Sequence, residues 1–224
     1  MYKELPDRFI EWAYFQRTGF VKSIMNSAGK DSAKFLIEST RHNPTLCTGR
    51  IEGNRLILNA KVVGSGFVPK REFIQPAIQD LKAHVETSDH ASDSEYSEHG
   101  VRLLLKHLYH EDRAEARRRM DFSKLSTLEM AAGIGRSSKH TWLNVQSSST
   151  AVLTYYMPPN ISFEVRGQLD VHTAGTYHEF ANLVHDTFHR APATSRTYKP
   201  CYIVNVEEVY DNSVTNNGFG VRLV

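Results

Sequence analysis

The chain has 224 residues, 40% of them apolar and 23% charged, with a formal net charge of +2 at pH 7. That length buries a substantial core and suits one domain with an embellishment, and so small a charge excess argues against a phosphate-tracking surface. No run approaches a membrane span, and acidic and aromatic residues stand at the N-terminus where a secretory segment would be apolar, so a cytoplasmic location is expected.

In chain order, Leu5, Phe9, Trp12, Ala13 and Phe20 fall at helical spacings with Asp7, Arg8, Glu11 and Arg17 between them, which predicts an amphipathic opening helix over residues 5–20 that covers the body of the fold. A second helical segment follows over 31–38. The period then changes to that of strands. Residues 45–51 and 55–63 flank a Glu52-Gly53-Asn54 turn and predict a hairpin, closed by Gly64-Ser65-Gly66. Pro69 and Pro76 frame the entry to a further helix over about 73–85. Residues 86–100 hold Ser, Asp, Glu and His without a basic residue and predict a mobile surface loop. Val101, Leu104, Leu105 and Leu108 define a further helix, which ends in Arg117-Arg118-Arg119; Glu111, Asp112 and Glu115 precede these arginines closely enough to neutralise much of the run. Residues 125–132 look helical. Beyond them, residues 150–157 and 161–171 predict two strands joined at Pro158-Pro159-Asn160, and the second alternates Ile161, Phe163, Val165, Gly167, Leu169 and Val171 with polar residues. A helix over 177–189, a strand over 202–210 and a short apolar run over 219–224 complete the chain. Cys47 and Cys201 are far apart on predicted strands and read as small buried hydrophobes rather than a zinc site or a disulfide framework. Strands interrupted by single helices, with hairpin turns, predict an antiparallel sheet or small barrel with helical insertions.

The segment Gly133-Ile134-Gly135-Arg136-Ser137-Ser138-Lys139-His140-Thr141-Trp142 combines flexible glycines, cations and hydroxyls, a mixture that converges on phosphate. It lacks the Gly-Lys-Ser/Thr ending of a nucleotide P-loop, and the helical-looking run before it does not suit a dinucleotide fingerprint. A helix C-cap followed by a solvated loop is the alternative. With Arg117–Arg119, residues 136–139 also allow a non-enzymatic phosphate- or RNA-binding module, for which the charge balance gives little support.

The order of elements in the C-terminal half, with Lys139 and Asn144-Val145 before a strand and Val165-Arg166-Gly167 ending the next, resembles the pyridoxamine-phosphate-oxidase-like flavin-binding split-barrel families. The resemblance implies an α+β fold: an antiparallel split β-barrel from residues 45–66 and 137–224, with a helical N-terminal segment over 1–40 and a helical insertion over 70–135, all in one domain. About 70 residues separate the hairpin from Lys139, where the family has a short connection. The resemblance further implies a homodimeric oxidoreductase with flavin mononucleotide (FMN) in a groove between subunits and a small-molecule substrate. Arg136, Ser137, Ser138, Lys139 and Thr141 would then hold the phosphate, and Trp142 would flank the ring.

On the helix over 177–189, His178, Asn182, His185 and His189 fall on one face, with Phe180, Leu183, Val184, Thr187 and Phe188 opposite, so the histidines line a surface, a cleft or a subunit contact. His185 and His189 have the i, i+4 spacing of a metal chelate, with Glu179 and Asp186 nearby, which makes a divalent metal or haem at His178, His185 and His189 the alternative to flavin. The sequence His185-Asp186-Thr187-Phe188-His189 lacks the zincin glutamate. His107 with His110, and His84, His90 and His99, are weaker candidates. The outward row Ser162, Glu164, Arg166, Gln168 and Asp170 predicts a cross-strand or cross-subunit network, and the apolar run over 219–224 is expected to pack on the body or on a partner.

Overall fold

A computed structural model describes residues 2–26, 32–87, 92–130, 139–190, 199–215 and 217–224. The chain opens with α1 (Asp7–Ile10), a π-helical turn (Glu11–Phe15) and α2 (Gln16–Asn26), followed by α3 (Ser32–Ser39) and a 3-10 turn (Thr40–His42). The predicted hairpin forms as β1 (Thr45–Glu52) and β2 (Arg55–Val62), with Gly53 at φ +61° in its turn, where a side chain would be strained. Then come β3 (Ser65–Pro69), α4 (Arg71–Thr87), α5 (Asp93–His107), α6 (Arg113–Arg119), β4 (Met120–Leu128) and α7 (His140–Val145). The last elements are β5 (Thr150–Met157), β6 (Ile161–His172), α8 (Thr176–Phe188), β7 (Cys201–Asp211) and β8 (Val221–Arg222).

All ladders are antiparallel, in the order β2-β1-β5-β6-β7-β4-β3, with β8 on β7. The fold is therefore α+β, as expected, but the sheet is not closed by hydrogen bonds. Its two ends, β2 and β3, are nevertheless joined by Val63-Gly64 alone. Laid flat, the path would span nearly 30 Å at about 4.8 Å per strand. The link reaches at most about 11 Å. The sheet must therefore curl until its ends nearly meet.

Inside the curl lie Leu46, Leu153, Tyr155, Phe163, Val165 and Val204, all buried. The opening helix fills the concave side: Phe9 packs edge-on against Tyr155 and Phe163, Trp12 edge-on against Tyr155 and tilted against Phe163, and Tyr14 edge-on against Phe67 and Phe122. One cluster of buried residues runs from Leu5 to Val209. The second layer holds α4, α5 and α8. Gly100 of α5 approaches α8 so closely that a Cβ there would stand 2.8 Å from the Thr187 carbonyl oxygen.

Several sequence expectations are corrected. Residues 120–128 are strand, not part of a purely helical insertion, and the run over 125–132 is β4 as far as Leu128. Gly64-Ser65-Gly66 does not merely close the hairpin, because β3 starts at Ser65. The stretch over 86–100 is helical from Asp93 onward: the Ser92 hydroxyl accepts from the Glu95 backbone N–H while the Glu95 carboxylate accepts from the Ser92 N–H, a capping box that starts α5. The histidine face of α8 is not all turned from the core, since His178 and Asn182 are buried between α8 and its neighbours.

Other expectations hold. Arg118 and Arg119 pair with Glu115 on their own helix, and Arg117 pairs with Glu4 and Asp7. Arg166 meets Glu164 and Glu208, and Gln168 donates to Glu207, giving the cross-strand network. The run over 219–224 packs on the body through β8, where the Leu223 N–H donates to the Val209 carbonyl at 2.7 Å. Cys201 on β7 is buried as expected, whereas Cys47 on β1 is only partly buried.

The β6–β7 ladder shifts register between Arg166 and Gly167, and a Cβ on Gly167 would stand 2.0 Å from the Asn205 carbonyl oxygen. Backbone in the middle of the sheet would have to move to admit it. Gly167→Ala is expected to cost about 2–3 kcal/mol of stability. Urea unfolding at unchanged circular dichroism reads this, and an unaltered midpoint would contradict the close approach.

Candidate functional site

Five separate segments enclose a cleft of about 260 Å³, lined by Arg17 of α2, His42 and Asn43 after α3, residues 64–67 and 126–128 of β3 and β4 with their flanks, and Phe180, Val184, His185, Phe188 and His189 of and just beyond α8. Its walls are mostly apolar. Such a surface beside a few polar groups is the usual form of a small-molecule site.

Arg17 lies on the buried side of the opening helix, eight positions from Phe9 and four from Ala13, and is only 7% exposed. Its Nε donates to the Tyr109 hydroxyl at 2.6 Å, and its guanidinium lies over the Tyr109 ring. Among the described residues no carboxylate stands within 4.0 Å of it. A buried cation without a counter-charge is costly, and an anionic ligand would remove that cost.

His42 sits in the 3-10 turn beside Arg17. Burial first, then the Arg17 cation and His189, push its pKa down to about 3, against a weaker opposing effect of the Ser39 backbone. The imidazole is therefore neutral across the physiological range. His185 and His189 stack with ring centroids 5.0 Å apart, and the His185 Nδ1 and an Asp186 carboxylate oxygen lie at 2.9 Å. Burial lowers the His189 pKa as well, followed by the neighbouring His185. Thr127, which also lines the cleft, is 3% exposed, and its hydroxyl has no hydrogen-bond partner among the described residues.

Of the histidines singled out in the sequence, His185 and His189 therefore reach the cleft together. His178 does not join them. It lies near His172 and Glu179, and its pKa is lowered mainly by burial. No group of three or more His, Cys, Asp or Glu among the described residues is arranged to hold a metal ion. His84 and His99 meet through their Nδ1 atoms at 3.1 Å, and His107 Nε2 lies 2.7 Å from Asp80. Arg17 and His42 are not among the sequence candidates. The discoverable signal is a cation at a core position of the first helix.

Arg136, Ser137 and Ser138 lie outside the described residues, as do Gly133 and Gly135. Lys139 precedes α7 and is exposed, while Thr141 is buried and its hydroxyl accepts from the Asn59 side-chain amide at 2.7 Å. Trp142 packs partly buried against the core. Asn144 is held by Arg50, which donates to its amide oxygen at 2.8 Å, and by donation of its own amide to the Thr48 carbonyl at 3.1 Å. The described part of the proposed phosphate segment thus anchors α7 to the β1–β2 hairpin and does not line the cleft. A strand, β4, does precede the glycines, so the exclusion of a dinucleotide fingerprint rests on the antiparallel sheet, which has no βαβ unit there.

No family model matches the chain, and no curated protein matches it. Among solved structures it is similar to HupZ of Group A Streptococcus, crystallised in an epitope- and polyhistidine-tagged form, at 9% identity and a TM-score of 0.41 over 84% of this chain and 97% of that chain. No residue assignment is carried across from it. Among the described residues no helix is long and apolar enough to cross a membrane.

Proposed function

We propose that the protein binds a flat, largely apolar organic anion in the cleft, and that the ligand is haem. The observation that carries this reading is the buried Arg17, which has no carboxylate partner among the described residues, at one side of an apolar cleft that also holds His42, His185 and His189. A haem propionate would supply the missing counter-charge. Neutral imidazoles are the form that ligates iron, and burial lowers the pKa of His42 and of His189 in that direction. Phe67, Leu128 and Phe180 offer the apolar contact that the macrocycle needs. The cleft is open on one side, so a ring larger than its volume inserts by one edge. FMN is the second reading, because the same guanidinium suits a phosphate.

Titration of the apoprotein with haem is expected to give a shifted Soret band at one equivalent. Arg17→Met should weaken binding about 10- to 100-fold, the effect of a lost charge-assisted contact. Alanine at His42, His185 or His189 should alter the band for the residue that ligates. Absence of a shift at tens of micromolar haem, or a band indifferent to all four substitutions, would remove the haem reading; parallel titration with FMN, read by flavin fluorescence, tests the second.

A further inference from the structure

Arg17 reaches its core position through an irregularity in the opening helix. In a regular helix it would lie about 80° round the axis from Phe9, eight residues earlier at about 100° each. The π-helical turn over Glu11–Phe15 takes up one extra residue and so turns the following face back by about 100°. Arg17 thereby comes within about 20° of the line of the fully buried Phe9, and a permanent cation stands in the core stripe. Turns of this kind concentrate at functional sites.

The guanidinium is gripped at one edge only. Of its five N–H donors, the one on Nε is taken by the Tyr109 hydroxyl at 2.6 Å, and the four on Nη1 and Nη2 make no hydrogen bond among the described residues. Tyr109 is itself fixed. It is buried, its N–H donates to the Leu104 carbonyl, and its ring lies against the guanidinium. The backbone on either side is tied to Tyr14, whose hydroxyl donates to the Leu108 carbonyl at 2.7 Å and accepts from the His110 N–H at 2.9 Å. Approach to Arg17 through Nε is therefore closed, and the end-on fork of Nη1 and Nη2 remains. Among the described residues Arg17 is the one lysine or arginine that lines the cleft.

We propose that this fork takes a carboxylate, end-on and bidentate, and that Tyr109 is the positioning residue that enforces the geometry. The proposal rests on the reading of the cleft as a site for a flat organic anion and names its acid group. Two parallel N–H donors match the two oxygens of a carboxylate. Charge makes the choice between acids. One fixed cation neutralises one carboxylate, whereas a phosphate monoester carries nearly two charges at pH 7 and would keep part of them uncompensated against apolar walls.

Metal-free protoporphyrin IX and its dimethyl ester test this apart from iron ligation, since the two differ only in whether the carboxylates are free. By porphyrin fluorescence at pH 7.5, the wild type should bind the diacid at least about 10-fold more tightly than the ester. Tyr109→Phe keeps the ring under Arg17 and removes the hydroxyl, and it should cut that preference about 3- to 10-fold. Arg17→Met should abolish it. A residue that only supports the fold would weaken diacid and ester alike. The wild-type comparison needs no variant, so a poorly folding substitution leaves the test intact. Equal affinity for diacid and ester, or tighter binding of FMN than of the diacid, overturns the carboxylate fork. A Tyr109→Phe protein with the full preference overturns the positioning role. Binding of neither porphyrin removes the reading of the cleft itself, a result distinct from equal binding of both.

Discussion

Glu129→Ala is expected to lower stability by about 3–5 kcal/mol, the usual result of breaking a buried ion pair from one side. Glu129 is fully buried at the end of β4, where it accepts from Lys61 of β2 through both oxygens and from the Tyr202 hydroxyl at 2.9 Å. Because β2 and β4 are not ladder neighbours, this contact spans the open seam of the sheet. Removing the carboxylate takes the charge partner from the Lys61 ammonium and an acceptor from the Tyr202 hydroxyl together. The loss should exceed that of Glu129→Gln, which keeps an acceptor for Tyr202. Replacing both partners, as in Lys61→Met with Glu129→Leu, should recover much of it, since desolvation of the charges is then avoided. Urea unfolding of the three variants checks this, and a Glu129→Ala protein within 1 kcal/mol of wild type, roughly the worth of an exposed pair, would show that the strut carries little.

The second large effect is acid lability. The His42 pKa falls from 6.5 to about 3 on folding and that of His84 from 6.5 to about 4, in each case chiefly through burial. Between those limits the unfolded chain binds protons that the folded chain refuses, so stability rises with pH. The contribution is complete above about pH 6.5 and is lost as pH falls toward the folded values. At pH 5, His42 alone should cost about 2 kcal/mol relative to pH 7.5. Burial lowers His107, His110, His178 and His189 in the same sense. Asp80, held down by Lys106 and His107, adds its own loss once pH falls below the usual carboxylate range. Unfolding curves at pH 7.5, 6 and 5 should therefore show a steep decline well above the range where carboxylates protonate. His42→Asn should flatten that decline by about 2 kcal/mol. Equal stability at pH 7.5 and 5 would refute the neutral buried imidazole.

Where alternation or helical period was unbroken, the sequence could be read directly. The hairpin around Glu52-Gly53-Asn54, the pair β5 and β6, α8 and β7 are of this kind. The elements that escaped have physical reasons. β4 loses its alternation at Lys124 and Leu125, next to the point where the β3–β4 register shifts, so its second half imitates a helix. β3 is only five residues long and starts with Ser-Gly. Half of the cleft was legible in His185 and His189, because their spacing lies within one helix. Arg17 and His42 were not, since they come together only after α2, the 3-10 turn and the β3–β4 pair have packed. Periodicity can flag Arg17 as misplaced in a core stripe, but no local pattern says what it faces.

Strand β2 is inverted, with Leu56, Leu58 and Val62 exposed and Asn59 and Lys61 turned to the interior, and this changes what fixes strand pairing here. In most half-buried strands apolar burial sets the register, and a slip by one residue is punished by exposing the core face. In an isolated copy of this chain, a slip of β2 would bury Leu56, Leu58 and Val62 and would be rewarded by the same force. What opposes it is a set of polar addresses: Lys61 must find Glu129, and Asn59 must find Thr141. The pairing of this edge is thus encoded by electrostatic matching set against the hydrophobic gradient, so mutations at Glu129, Lys61 or Asn59 act on alignment as well as on energy.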